Sequence, residues 1–345
     1  MVLQGKKRRS RILGAIREEL LLREGEGRST AYFLLLLYLV GLGLALGNGS
    51  ANSLFLKRAG IAYLPYAYIG LSVALAVTSI LYAAWADRLA PERLFVVLAG
   101  ALGLGLVLLW SAMADSVSPF TFGAYLVLYE VFSELFAIHA TLYFSANFDV
   151  GQSKRLLPVA LAGQQGGQMT GGLGLAALSV SIDLRDVLLV WTGILAVVAM
   201  LVLWHHRRFG ASPYRQAPRR SGAPIRAAIT QIAQGLRFAR RSALLRNSSI
   251  AVFFTVVVVF LLGYSMLAIY SGHFRSETEF GILFGVITFV GGSITLLIQL
   301  FFTGKLLRRF GVREINLVFP VTSLVTFAAL LAAFKLPVAL AGAFN

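Results

Sequence analysis

The sequence predicts an all-α polytopic membrane protein with about nine transmembrane helices, and three observations lead there. Of 345 residues, 58% are apolar and only 13% charged, and the mean hydropathy is +0.78; an ordinary soluble domain is far more polar. The apolar residues gather into stretches of about 20, the length a helix needs to cross a hydrocarbon core roughly 30 Å thick. The basic residues fall in short runs between those stretches. With 31 Lys and Arg against 15 Asp and Glu the formal charge is +16, and this placement makes the charge a signal of topology rather than a nucleic-acid surface.

Residues 1–29 are polar and basic and lack the apolar core of a secretory signal peptide. Ile12, Leu13, Ile16 and Leu20 recur at helical spacing beside Arg8, Arg9, Arg11 and Arg17, which predicts an amphipathic helix on an anionic cytoplasmic leaflet. Six candidate spans follow: Tyr32 to Phe55, Ala62 to Ala84, Leu94 to Met113, Phe120 to Phe148, Leu157 to Val180 and Val187 to Trp204. A polar, basic stretch with Pro213, Pro218 and Pro224 then intervenes, in which Ile225, Ile229, Ile232, Leu236 and Phe238 predict a surface-lying helix. Ser249 to Tyr270, Phe280 to Phe302 and Ile315 to Phe334 resume the spanning pattern. The remainder, residues 335–345, is too short to cross as a helix, so the second half is expected to be incomplete.

The organisation expected is therefore a basic N-terminus (1–29), a six-helix bundle (30–206), a cytoplasmic linker (207–247) and an incomplete second transmembrane half (248–345). With the N-terminus inside, every Lys and Arg except Lys57, Arg58, Arg185, Arg275 and Lys335 falls on the cytoplasmic side, as the positive-inside bias requires. The absence of cysteine excludes disulfides and thiolate chemistry, and the four histidines have no paired metal-binding spacing. No cofactor is expected. No serine sits in a nucleophile elbow, so nothing points to an enzyme.

Two turns repeat across the halves. Ala83 to Ala90, with Asp87 and Arg88, lies after the second span; Gly304 to Gly311, with Arg308 and Arg309, lies after the eighth. Small residues there let helices approach, and basic residues favour helix C-termini and hold the loop in the cytoplasm. The second turn resembles the loop motif of the major facilitator superfamily, which implies a bundle of two six-helix halves around a central cavity. A further resemblance covers spans one to five: Phe55-Leu56-Lys57, then Leu64-Pro65, Glu130, Ala146-Asn147, Lys154 to Pro158 and a glycine-rich fifth span. This order is similar to the ATP/ADP-type nucleotide antiporters and their bacterial relatives. The resemblance implies functional charges at Lys57 and Glu130 and a nucleotide as solute.

Glu130 and Glu134 are four residues apart near the middle of span four, with Thr141 and Ser145 continuing the same stripe. A carboxylate at the bilayer centre costs about 2.5–3.5 kcal/mol on insertion scales, so such groups face a cavity, pair with a cation or take up a proton. This pair fits either a coupling or gating site or a structural hydrogen-bonded contact between helices. Lys57, at the end of span one, fits either interfacial snorkelling or recruitment of a phosphate. Asn48 and Asn52 form an i,i+4 amide pair within Gly47-Asn48-Gly49-Ser50-Ala51-Asn52, suited to lining a solute pathway or to packing against another helix.

Span five carries Gly163, Gly167 and Gly171 at intervals of four. It lacks the Lys-Ser/Thr ending of a phosphate loop, so the stripe predicts close helix packing, with Gln164 and Gln168 on an adjacent face as lining candidates. The function expected is a secondary active transporter of a small polar or anionic solute across a bacterial inner membrane by alternating access, with nucleotide exchange as its specific form. The alternatives are a proton-coupled carrier of another solute and a non-transporting scaffold or sensor. The partners expected are the solute and a bilayer with an anionic inner leaflet, with no nucleic acid.

Overall fold

The computed structural model describes residues 26–86, 88–115, 118–210, 212, 224–298, 309–310, 317–318, 321–326 and 328–329. The described residues form helices joined by short turns: α1 (Gly27–Leu54), α2 (Leu64–Ala86), α3 (Pro91–Asp115), α4 (Pro119–Asn147), α5 (Val150–Ser181), α6 (Val187–Phe209), α7 (Pro224–Arg241), α8 (Ala243–His273) and α9 (Glu277–Ile298). By length and apolarity seven are able to cross a membrane: α1, α2, α3, α4, α6, α8 and α9. Helix α5, expected as span five, has the length at 32 residues, but its glycines and glutamines dilute its hydropathy. The surface helix expected from the isoleucine pattern is α7, although Phe238 falls off the isoleucine stripe. The expected helix before residue 26 and half of the ninth span, 315–334, lie outside the described residues.

Local chemistry sets the helix starts. Ser118 caps α4 through its Oγ, which accepts from the Phe120 amide, with Pro119 in the first turn. At α5 the Asp149 carboxylate accepts from the Gln152 amide at 2.7 Å while the Gln152 side chain accepts from the Asp149 amide at 3.1 Å, a reciprocal capping box. Glu279 closes the start of α9 by accepting from the Arg275 and Ser276 amides. Helix α1 ends in a π-helical turn, Phe55–Ala59, stopped by Gly60 at φ 93°. That conformation is open to glycine and strained for other residues.

Two compact units divide the chain, residues 1–292 and 293–345. In the first, α1 is the central element and packs on α4, α5 and α6, while α3 packs on α4 and α6 and α2 on α4. The expected glycine stripe of α5 is what admits α1. A methyl group at Gly163, Gly167 or Gly171 would strike the backbone carbonyls of Leu34, Tyr38 and Leu42 respectively, so the two helices meet backbone to backbone. On the other side of α1, Gly43 and Gly47 accept the indole of Trp191, which is fully buried. Helix α9 meets α5 by the same device: Gly285 faces the Gly172 carbonyl, Gly281 faces Ser179 and Gly292 faces Met169 and Gln165. In the second unit, the Thr322 and Thr326 hydroxyls donate to the carbonyls of Val318 and Thr322, both at 2.8 Å.

Candidate functional site

Spanning helices alternate in direction, so the bundle has a near end, where α1 starts, and a far end, where it stops. The polar residues divide between these ends and the middle. Glu130 lies mid-helix on α4, partly buried, and Glu134 is exposed one turn on, with Thr141 and Ser145 exposed along the same face. Neither carboxylate makes a hydrogen bond or ion pair with a described residue, and Tyr68 and Tyr129 lie within electrostatic reach of Glu130. The two buried acidic side chains among the described residues differ from this pair. Glu26 and Glu92, both nearly inaccessible, are held by neighbours.

The nominated amides take separate settings. Asn52 Nδ2 donates to the Asn48 carbonyl at 2.9 Å and to Asn48 Oδ1 at 2.8 Å, so the pair satisfies itself along one half-buried strip of α1. Gln164 and Gln168 are half-buried on α5, where the Gln164 backbone lies against Gly41. Lys57 is carried by the π turn at the far end. Its ammonium donates to the Phe274 carbonyl at the end of α8 and stands 4.9 Å from the centre of the Phe280 ring on α9. Arg58 beside it pairs with Glu277. The tip of α1 is thus fastened to the α8–α9 turn.

Of the repeated turns, Asp87, Gly304, Arg308 and Gly311 lie outside the described residues. Arg88 sits in a turn closed by its amide on the Trp85 carbonyl at 3.0 Å. Arg309, in the second unit, is exposed with its guanidinium 5.4 Å from the Phe310 ring centre.

The near end holds a network that sequence reasoning missed. Arg155 grips Glu26 with both terminal nitrogens, at 2.8 and 3.2 Å, and Gln152 donates to the same carboxylate at 3.2 Å. Glu92 accepts from Ser212 Oγ, which accepts in turn from Asn147 Nδ2 at 3.1 Å. His206 Nδ1 stands 3.3 Å from Glu92 Oε1, at ion-pair distance but not aligned for a hydrogen bond. Tyr32 stacks on His205 at 3.8 Å between ring centres and shares a hydrogen bond with Tyr143. These partners are up to 129 positions apart in the chain, so no local spacing signals them. His139 is likewise satisfied. Its Nε2 faces the Pro91 carbonyl at 2.7 Å and therefore carries the proton, leaving Nδ1 to accept from the Tyr82 hydroxyl at 3.0 Å.

A cleft of about 740 Å³ runs between α2 and α4 in the far half and is lined mainly by apolar groups such as Phe55, Tyr66, Phe120 and Phe132. None of the nominated residues lines it, and its apolar, open walls suit hydrocarbon rather than a polar solute. Among the described residues no group of three or more His, Asp or Glu is placed to hold a metal ion.

A model of the Major Facilitator Superfamily matches residues 59–344, most of the chain. The chain belongs to the major facilitator superfamily. No curated protein and no solved structure matches it. Membership accounts for the apolar helical bundle and makes the protein an integral membrane secondary transporter of a small solute. Contacts between α1–α6 and α8–α9 run from the far end to the middle: Lys57 with Phe274, Arg58 with Glu277, Ser179 with Gly281, Gly172 with Gly285, and Tyr68 with Phe260 at 4.7 Å between rings.

Proposed function

We propose that this transporter couples a small polar or anionic solute to a proton or cation at Glu130 and Glu134. The observation that supports this reading is a pair of carboxylates one helical turn apart at mid-span, without a hydrogen-bond or ion-pair partner among the described residues. Two carboxylates one turn apart within a spanning helix are costly to keep charged together, and a proton or cation relieves the cost. Exchange of that cation as the site turns from one side to the other couples the two fluxes. The moving parts are the six-helix bundle 30–206 and the half beginning near 248, joined by the linker 207–247 and preceded by the basic segment 1–29.

The charge distribution supports a cytoplasmic N-terminus in a bacterial inner membrane. In that orientation the far end is external, and the Lys57 and Arg58 contacts are its closed gate. Nucleotide exchange is the second reading, favoured by a lysine at that gate. A phosphate would compete with the Phe274 carbonyl for the Lys57 ammonium as a point charge. Labelled-solute uptake into proteoliposomes under an imposed pH gradient, across a panel that includes nucleotides, separates these readings. The Glu130→Gln, Glu134→Gln double substitution is expected to abolish gradient-driven uptake; uptake at the parental rate removes the carboxylates from the coupling step. Lys57→Ala is expected to raise the KM for a nucleotide at constant kcat, and a panel in which nucleotides do not move ends that reading. A folded protein that moves nothing in the panel favours a scaffold or sensor.

A further inference from the structure

Helix α7 carries apolar and basic side chains that its contacts with α2 and α8 leave exposed. It is an 18-residue helix with no acidic residue, three isoleucines (Ile225, Ile229 and Ile232) and four arginines (Arg226, Arg237, Arg240 and Arg241). At 100° per residue its side chains sort into three adjoining stripes. Ala228 and Ala239 lie on the first, and Ala228 is 2% exposed where α7 packs on α2 and α8. Ile225, Ile229, Ile232 and Leu236 form the second, spanning about 60° of arc, and each is roughly half exposed, from 48% to 55%. Arg226, Arg237 and Arg240 form the third, all exposed.

The position of α7 fixes what this surface meets. Only Ser242 separates it from α8, a spanning helix of 31 residues. That helix is roughly 46 Å long, well beyond the ~30 Å hydrocarbon core, so its first turns lie at headgroup level and α7 is tethered there. The protein contact stripe faces the bundle. The isoleucine stripe beside it then points towards acyl chains, and the arginines beyond reach the phosphate plane. We propose that α7 is an interfacial binding surface for anionic phospholipid headgroups, with its apolar stripe inserted at the acyl boundary and its arginines on the phosphates. Neither stripe alone makes the assignment. An apolar face without arginines has no preference among lipids, and arginines without the apolar face would serve a soluble anion equally well.

The absence of cysteine from the sequence makes a site-specific test direct. Ile232→Cys, labelled with an environment-sensitive fluorophore, reports the apolar stripe, and Thr230→Cys reports the opposite, polar side. The full chain is placed in nanodiscs of phosphatidylcholine alone or with about one-third phosphatidylglycerol. The expected result is a blue-shifted, brighter emission from the Ile232→Cys label in anionic discs, reversed by high salt, with the Thr230→Cys label unchanged. Arg226→Gln, Arg237→Gln and Arg240→Gln are each expected to lower the inserted-to-free ratio about fivefold. Identical emission in the two lipid compositions overturns the proposal, as does a parallel shift at both labels. The lipid and salt comparisons use one labelled chain and decide the matter independently of the arginine variants.

Discussion

Helices α1 and α8 are near equals by sequence and opposites in the fold. They have 28 and 31 residues, and their most apolar windows have mean hydropathies of 2.0 and 2.5. Yet 67% of that window is buried in α1 and 6% in α8. The more apolar helix is the more exposed one. Apolarity in a membrane protein reports the solvent, since lipid is as apolar as leucine and gives no reason to bury one helix rather than another. Burial is decided by how closely backbones approach. Helix α1 has Gly41, Gly43, Gly47 and Gly49 directed at α5, α6 and α9 and receives the glycine stripe of α5. Helix α8 has Gly263 and Gly272, and the second has open space around it.

The contrast breaks most sharply at those glycines. Gly167→Leu drives a side chain into the Tyr38 backbone, which has no rotamer by which to yield. A loss of about 3 kcal/mol or more is expected, read as a collapse of the thermal unfolding midpoint in detergent. Gly272→Leu on α8 is expected to leave the midpoint unchanged or slightly raised, because leucine is the better helix former. If both substitutions act alike, close approach is not what sets α1 apart.

A smaller effect is expected from hydrogen bonding. Tyr125 is fully buried and bonds to Ser50 on α1 at 2.7 Å, whereas Tyr264 on α8 is 37% exposed. Tyr125→Phe is expected to cost about 1 kcal/mol in the same unfolding measurement, and Tyr264→Phe nothing detectable. The smallest expected effect lies at the far end, where the turn after α1 meets the start of α9. Arg58 is more than half exposed in its pair with Glu277, and exposed pairs contribute about 0–1 kcal/mol. Arg58→Gln is therefore expected to move the ratio of closed to open far ends by no more than about fivefold, measured as distance distributions between spin labels at that end. A complete loss of the closed population would make this pair the main fastening rather than one of several.

Much of this architecture was legible in the sequence. The helices expected for spans one to eight are all present among the described residues, with limits that differ from the expected ones by up to about seven positions, most at α5, where the Asp149 capping box extends the helix ahead of Leu157, and at α8, which starts at Ala243; the expected end of the eighth span lies outside the described residues. The glycine stripe was correctly assigned to packing, because a repeat of four on a helix marks one face. The candidate site was legible in part. Glu130 and Glu134 stand out locally, since a carboxylate inside an apolar run is costly wherever the helix packs. Lys57 did not reveal its partners, because the Phe274 carbonyl belongs to a segment more than 200 positions away. Glu26 and Glu92 gave no signal at all. Each lies next to a helix start, where an acidic residue is ordinary, and only the folded chain brings Arg155 and Ser212 to them.

What the sequence determined by itself was the solvent and the secondary structure: hydropathy, helix propensity, capping residues and the interruption of apolar runs by basic turns are all properties of neighbouring residues. Only the tertiary structure decided which helix became the centre of the bundle, which charges were paired and which carboxylates have no ion-pair partner among the described residues. Those outcomes depend on backbone separations and side-chain directions between segments far apart in the chain, and no one-dimensional pattern records a distance between them.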